Sequence, residues 1–249
     1  MKNAIIEALS ACTIDLSSVT EYDDCDLTKY IRQTVPNSQD LAFGSGVSKY
    51  VILIKGENVV LKMPYQGMYD DESFEQDMRD YESNLDDGVE NLIAPELSNY
   101  YFEFVEAKSD AVETSNNWDY CALECAIYEA AEQEGLEAYF AKEEWYADIN
   151  GYPLYCQQRV NPLDILISSS KKTYPKDLGK ATSKKCLDMG VRCINTIWVQ
   201  DFFDYYGELE YKRLMDFLTK VGVYDLHSGN LGYYKGAPIL LDYSDFKEW

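Results

Sequence analysis

Asp225, His227 and Asn230 fall within one short run, Asp225-Leu226-His227-Ser228-Gly229-Asn230, and Asp242 closes the apolar run Ile239-Leu240-Leu241. A carboxylate such as Asp225 can orient an acceptor hydroxyl and take its proton. The Asn230 amide oxygen and the Asp242 carboxylate are hard oxygen donors of the kind Mg²⁺ accepts. A carboxylate delivered by a buried strand is costly unless a cation meets it, and a metal bridging phosphate oxygens would meet it here. His227 is the single histidine of the chain. One imidazole without nearby cysteines makes no zinc site, so its expected task is to order the loop. Ser228 lacks a nucleophile-elbow context, and without a second histidine a hydrolase triad is excluded.

Upstream, Gly44-Ser45-Gly46 lies between two strand candidates, and Lys62 follows Val59-Val60-Leu61. Glycines let backbone N–H groups approach phosphate oxygens closely. The segment runs strand to strand, which argues against a dinucleotide fingerprint, and it lacks the Gly-Lys-Ser/Thr ending of a P-loop. Lys49 occupies the place of a third small residue. A lysine among apolar residues needs either a wet end or an anion. Lys62 is therefore expected to meet phosphates and to be steadied by a helix carboxylate. Glu124 flanks the apolar stripe of the following helix and is the first choice, with Glu129 as its rival.

These groups need elements to hold them. Residues 1 to about 40 read as polar and poorly periodic. Tyr50–Ile54 and Val59–Met63 read as strands around the Lys55-Gly56-Glu57-Asn58 turn. Residues 65–118 form an acidic insertion, with a charged helix expected at Asp70–Asn84 and a strand at Tyr100–Val105. Asp119–Tyr139 has helical spacing through Leu123, Ala126, Ile127, Ala130 and Ala131, with a break at Gly135. Trp145–Ile149 and Pro153–Gln158 flank Asn150-Gly151, a strong hairpin signal. Val160-Asn161-Pro162 reads as a connector and Ser168–Lys180 as a loop. Two helices follow, marked by Ile194, Ile197, Trp198, Phe202 and Tyr205, then by Tyr211, Leu214, Met215 and Leu218. A last hairpin joins Leu231–Tyr234 to Pro238–Leu241 through Lys235-Gly236.

The bulk numbers narrow the partners. Forty-four acidic residues against 22 Lys and Arg give a net charge of −22. Such a surface repels nucleic acid and anionic membrane, which excludes both as partners apart from an acidic decoy that mimics nucleic acid. Seven cysteines, an odd number without metal-like pairing, imply reduced thiols in a cytoplasmic protein. No stretch nears 18 apolar residues, and no signal peptide is expected at Met1–Asp15.

In order and spacing, these residues resemble the protein-kinase-like superfamily: Gly44 and Gly46, Lys62, Glu124, Asp225 with Asn230 five residues on, then Asp242 after a short hairpin. The His-Ser-Gly-Asn string is similar to atypical and small-molecule kinases, and Leu241-Asp242-Tyr243-Ser244-Asp245 resembles kinase-like proteins of bacteriophages. The resemblance implies an α+β, two-lobed fold. Residues 1–159 would form an antiparallel-sheet N-lobe with one main helix and the insertion at about 65–118. Residues 160–249 would form a minimal helical C-lobe carrying a small hairpin. It further implies ATP and Mg²⁺ as cofactors, with Gly44, Gly46 and Lys62 on the phosphates and adenine near the hinge at Gln158. Asp225, Lys62 and Glu124 would be catalytic, and Asn230 and Asp242 would hold the metal. The implied activity is transfer of the γ-phosphate to a hydroxyl on protein, self or small molecule. The alternative is a weak or inactive pseudokinase that binds a host or assembly protein. Val223-Tyr224 stands where protein kinases carry His-Arg, and Tyr243-Ser244 replaces Phe-Gly. Seven residues after Asp242 leave no activation segment.

Overall fold

The computed structural model describes residues 1–14, 26–45, 49–64, 97, 100–101, 103–104, 119–163, 175 and 177–244. The protein is mixed α and β, with a five-stranded antiparallel sheet, a three-stranded sheet and six α-helices among those residues. The large sheet comprises β1 (Leu41–Ser45), β2 (Lys49–Ile54), β3 (Val59–Pro64), β4 (Glu143–Ile149) and β5 (Tyr152–Gln158). Its order is β1-β2-β3-β5-β4, and every neighbouring pair is antiparallel. The hairpin expected at Asn150-Gly151 is present. Both residues have positive φ, 53° and 84°, as a tight two-residue connection requires.

Alternation along the strands sorts their side chains onto two faces. Tyr50, Ile52 and Ile54 of β2, Leu61 and Met63 of β3, and Leu154 and Cys156 of β5 share one buried apolar face. Two N-terminal helices cover it: α1 (Lys2–Ser10) through Ile5 and Leu9, and α2 (Asp26–Thr34) through Leu27 and Ile31. This corrects the expectation that residues 1 to 40 lack periodic structure. Each helix is nine residues long and buries three of them, a short signal in the sequence.

The other face receives α3 (Tyr120–Glu134), which joins β3 to β4 in the chain. Asp119 caps its start by accepting from the Cys121 and Ala122 N–H groups, and Gly135, at φ 67°, ends it. The strand expected at Tyr100–Val105 is corrected at its described residues: 100–101 and 103–104, like 97, are helical. Leu97, Tyr101 and Phe104 recur at four- and three-residue spacing and are buried with α3 in one core. Asp70–Asn84 lies outside the described residues.

The rest of the chain packs as α4 (Leu178–Met189), α5 (Thr196–Tyr206) and α6 (Glu208–Lys220), beside a small sheet. That sheet is β6 (Asn161–Pro162), β7 (Leu231–Tyr234) and β8 (Ala237–Leu240). The loop expected over Ser168–Lys180 gives way to α4 at Leu178, and the connector at 160–162 contains the two-residue strand β6. Gly232 is demanded by this pairing, since a Cβ there would meet Val160 Cγ1 at 2.5 Å and the Asn161 carbonyl oxygen at 2.7 Å. The Trp198 indole N–H donates to the Gly232 carbonyl at 3.0 Å, locking α5 to β7. The apolar core here runs from Leu97 through α3 and α5 to Tyr243. No helix among the described residues is long and apolar enough to cross a membrane. The six described cysteines are free thiols.

Candidate functional site

The face of the large sheet that meets α3 is where the charged groups gather. Val51, Lys62, Tyr155 and Trp145 lie in register across four strands, and Gln157 and Glu143 form the next inward row. Lys62 Nζ donates to Glu124 Oε2 at 2.7 Å and to Glu143 Oε2 at 2.8 Å. The structure therefore brings Lys62 and Glu124 together, and the rival Glu129 plays no part in this pair. The Gln157 amide donates to Glu143 Oε2 at 2.9 Å and to the Leu241 carbonyl at 2.8 Å.

Lys49, at the start of β2, joins the same cluster. Its ammonium contacts Glu124 Oε1 at 2.9 Å, Asp242 Oδ1 at 2.9 Å and Ser244 Oγ at 2.7 Å. Lys49 is 3% exposed and Lys62 4%. Burial opposes both charges, but Asp242 and Glu124 outweigh it at Lys49, and Glu124 and Glu143 outweigh it at Lys62. Both stay protonated well beyond the ordinary lysine range. Glu124 is pushed up by burial and by Glu143, against the pull of Lys49 and Lys62. Glu143 Oε1 is buried without a hydrogen-bond partner among the described residues. Two ammonium groups thus face three carboxylates, those of Glu124, Glu143 and Asp242.

Asp242 is pinned from both sides of its own backbone. Gln157 holds the Leu241 carbonyl, the Tyr243 N–H donates to Glu124 Oε1 at 3.1 Å, and the Tyr243 hydroxyl donates to the Ala141 carbonyl at 2.7 Å. The Tyr243 ring is fully buried and meets Phe140 edge-on at 5.0 Å. The Asp242 side chain is 38% exposed, so its carboxylate reaches both the lysine and solvent.

Asn230 ties this segment to the Asp225 loop. Its backbone carbonyl accepts from the Leu241 and Asp242 N–H groups at 2.9 and 3.4 Å. Its side-chain amide donates to the Asp225 carbonyl at 2.7 Å. The amide oxygen keeps its acceptor capacity, with no donor to it among the described residues. The Asp225 carboxylate is 63% exposed. His227 orders the turn, as its Nδ1 accepts from the Gly229 N–H at 3.0 Å. A Cβ on Gly229 would meet the imidazole at 2.7 Å. The loop is anchored further back by Arg192, whose guanidinium donates to the Val223 and Tyr224 carbonyls at 3.2 and 3.1 Å.

Among the described residues no group of three or more His, Cys, Asp or Glu is arranged to hold a metal ion. An Asn–Asp pair nonetheless fits Mg²⁺, which keeps several waters and takes one or two protein oxygens together with phosphate oxygens. The Asn230 amide oxygen, in a residue only 8% exposed, and the half-exposed Asp242 carboxylate are donors of that kind.

The remaining expected residues stand apart. Gly46 lies outside the described residues. Gly44 sits in β1 opposite Val51. A Cβ there would meet Val51 and Leu53 at an ordinary 3.8 Å, so packing does not demand glycine. Gln158 points to the face opposite Lys62, and its backbone N–H donates to the Lys142 carbonyl at 2.8 Å. Its neighbour Gln157 is the glutamine that enters the cluster. Sequence reasoning misses Lys49 and Glu143. In the sequence Lys49 only interrupts the glycine pattern, and Glu143, between Lys142 and Glu144, has the look of surface charge. Comparison with protein-family models yields no match, and a search of curated proteins likewise yields none.

Proposed function

We propose that the protein binds ATP with Mg²⁺ between the large sheet and the Asp225–Asp242 region, and transfers the γ-phosphate to a hydroxyl. The observation that carries this reading is convergence. Lys62 from β3, Glu124 from α3, Asn230 from one loop and Asp242 from another, far apart in the chain, meet through a continuous set of hydrogen bonds. The strand order β1-β2-β3-β5-β4, with α3 between β3 and β4, supports a two-lobed kinase-like arrangement.

In this reading Lys62, held by Glu124 and Glu143, presents its ammonium to the phosphates. Asn230 and Asp242 would hold the metal, which would supply positive charge against the phosphates. Asp225, at the rim, orients the acceptor hydroxyl and takes its proton as the new P–O bond forms and ADP leaves with the old bridging oxygen. Positioning and charge stabilisation supply the rate.

Asp242→Asn keeps the backbone contacts around position 242 and replaces the anionic metal ligand with a neutral, weaker amide oxygen. Incubation with γ-labelled ATP and Mg²⁺, alone and with a panel of hydroxyl metabolites, is expected to show transfer by the wild type and none by the variant. Equal transfer by both proteins would overturn the assignment. One observation favours a second reading, a binding module without turnover: Lys49 already occupies an Asp242 oxygen. That reading expects ATP with Mg²⁺ to raise the melting temperature while no labelled phosphate moves.

A further inference from the structure

The cluster holds one more lysine than the Lys62–Glu124 pair requires. Lys49 stands on the same inward face as Val51 and Lys62, directly after the glycine segment. Its three donors are met by Glu124 Oε1, Asp242 Oδ1 and Ser244 Oγ, two of them from the segment after β8. Glu124 does not depend on Lys49, because it also accepts from Lys62 and from the Tyr243 N–H. The contact that Lys49 alone makes is with Asp242 and Ser244. It places a cation on the carboxylate that the proposed metal would need.

We propose that Lys49 is a second phosphate-binding residue, held in reserve on Asp242 and exchanged onto the triphosphate when the metal–nucleotide complex binds. The proposal rests on the nucleotide reading above. Charge and burial dictate the exchange. Once Asp242 turns to a divalent cation, the buried Lys49 ammonium keeps Glu124 but loses its second carboxylate, which favours gaining another anionic partner. A triphosphate oxygen between Lys62 and Asp242 is that partner, and charge-assisted bonds to phosphate are among the stronger ones. Ser244 can follow either position because its hydroxyl both accepts from Lys49 and donates to Asp242 Oδ1 at 3.4 Å.

The exchange predicts effects of opposite sign from one substitution. Lys49→Met removes the competitor for Asp242 and one phosphate ligand together. Titration of full-length protein with Mn²⁺ alone, followed by the paramagnetic signal of free Mn²⁺, is expected to show affinity several-fold higher than wild type. Titration with a non-hydrolysable ATP analogue in saturating Mn²⁺ is expected to show affinity about 10- to 100-fold lower. A lysine that only supports the fold would weaken both, and a fall in both affinities overturns the proposal. So does an unchanged analogue affinity. Lys49→Gln, which keeps a hydrogen-bonding side chain at 49, is measured in parallel. If the methionine variant does not fold, opposite shifts in the glutamine variant support the exchange and a fall in both of its affinities overturns it. Wild-type protein that fails to bind the Mn²⁺–analogue complex overturns the nucleotide reading itself. Binding by wild type with no loss on substitution overturns the Lys49 exchange alone.

Discussion

The two faces of the five-stranded sheet are built from the same strands and filled in opposite ways. On the outer face Tyr50, Ile52, Ile54, Leu61 and Met63 pack under α1 and α2 with scarcely a polar atom among them. Thr28, one exception, is satisfied by the Tyr50 hydroxyl. On the inner face, one residue along each strand, Lys49 and Lys62 are buried just as deeply against Glu124 and Glu143. An apolar face returns about 1.5–3 kcal/mol for each large side chain it buries. Buried ion pairs return little net stability, because desolvation consumes most of the attraction. A chain able to seal one face with aliphatics had no need of four charges on the other for the sake of folding. The difference is one that the proposed nucleotide site would account for.

The sharpest way to break this contrast is Glu124→Ala. It strips both lysines of a shared carboxylate and frees the Tyr243 N–H. We expect a loss of about 3–5 kcal/mol in urea unfolding, together with loss of any nucleotide-induced rise in melting temperature. A neutral result would mean that the lysines are not held as a charged unit. Ile52→Ala, on the outer face of the same strand as Lys49, is expected to cost about 2–5 kcal/mol through lost burial and an unfilled cavity. The nucleotide-induced rise should survive it. If that rise vanished as well, the two faces would not be separable in function. A third variant sharpens the same point. Replacing Lys49 and Lys62 by Met, and Glu124 and Glu143 by Leu, is expected to leave stability unchanged or raise it by about 1–4 kcal/mol while abolishing nucleotide binding. Marked destabilisation of that protein would show that the network serves the fold.

The contrast also explains what could be read in the sequence. The outer strands, the Asn150-Gly151 hairpin, α3 and the last two helices announce themselves by period and turn chemistry. Asp225, Asn230 and Asp242 are visible because their spacing is short and local. Lys49 is not, because its meaning depends on Asp242, 193 residues away in the chain. Glu143 is hidden for a like reason: it is 81 residues from Lys62 and adjacent to Glu144, which is exposed and paired with Lys142. Helix α4 buries only Thr182 and Cys186 among its described side chains, so no apolar stripe marks it. The N-terminal helices are nine residues each and bury three apiece, so each offers little more than two turns of pattern to read.

The smallest expected effect concerns Asp119, which brings a carboxylate to the inner face from the start of α3. It accepts from the Cys121 and Ala122 N–H groups and from the Tyr155 hydroxyl at 2.6 Å. Burial nevertheless dominates these bonds and pushes its carboxyl up to about 6. The folded protein therefore holds this proton more tightly than the unfolded chain, where an aspartate titrates near pH 4. Its contribution to stability is full below about pH 4 and is lost as the pH rises through about 6, a change of at most about 3 kcal/mol. Asparagine caps a helix as well as aspartate and does not titrate. The unfolding free energy of Asp119→Asn, measured by urea from pH 4 to 7, should gain on wild type across that window and run parallel to it above. Curves parallel throughout would mean that the carboxylate is solvated in the native state, and that the inner face is wetter at the start of α3 than its burial indicates.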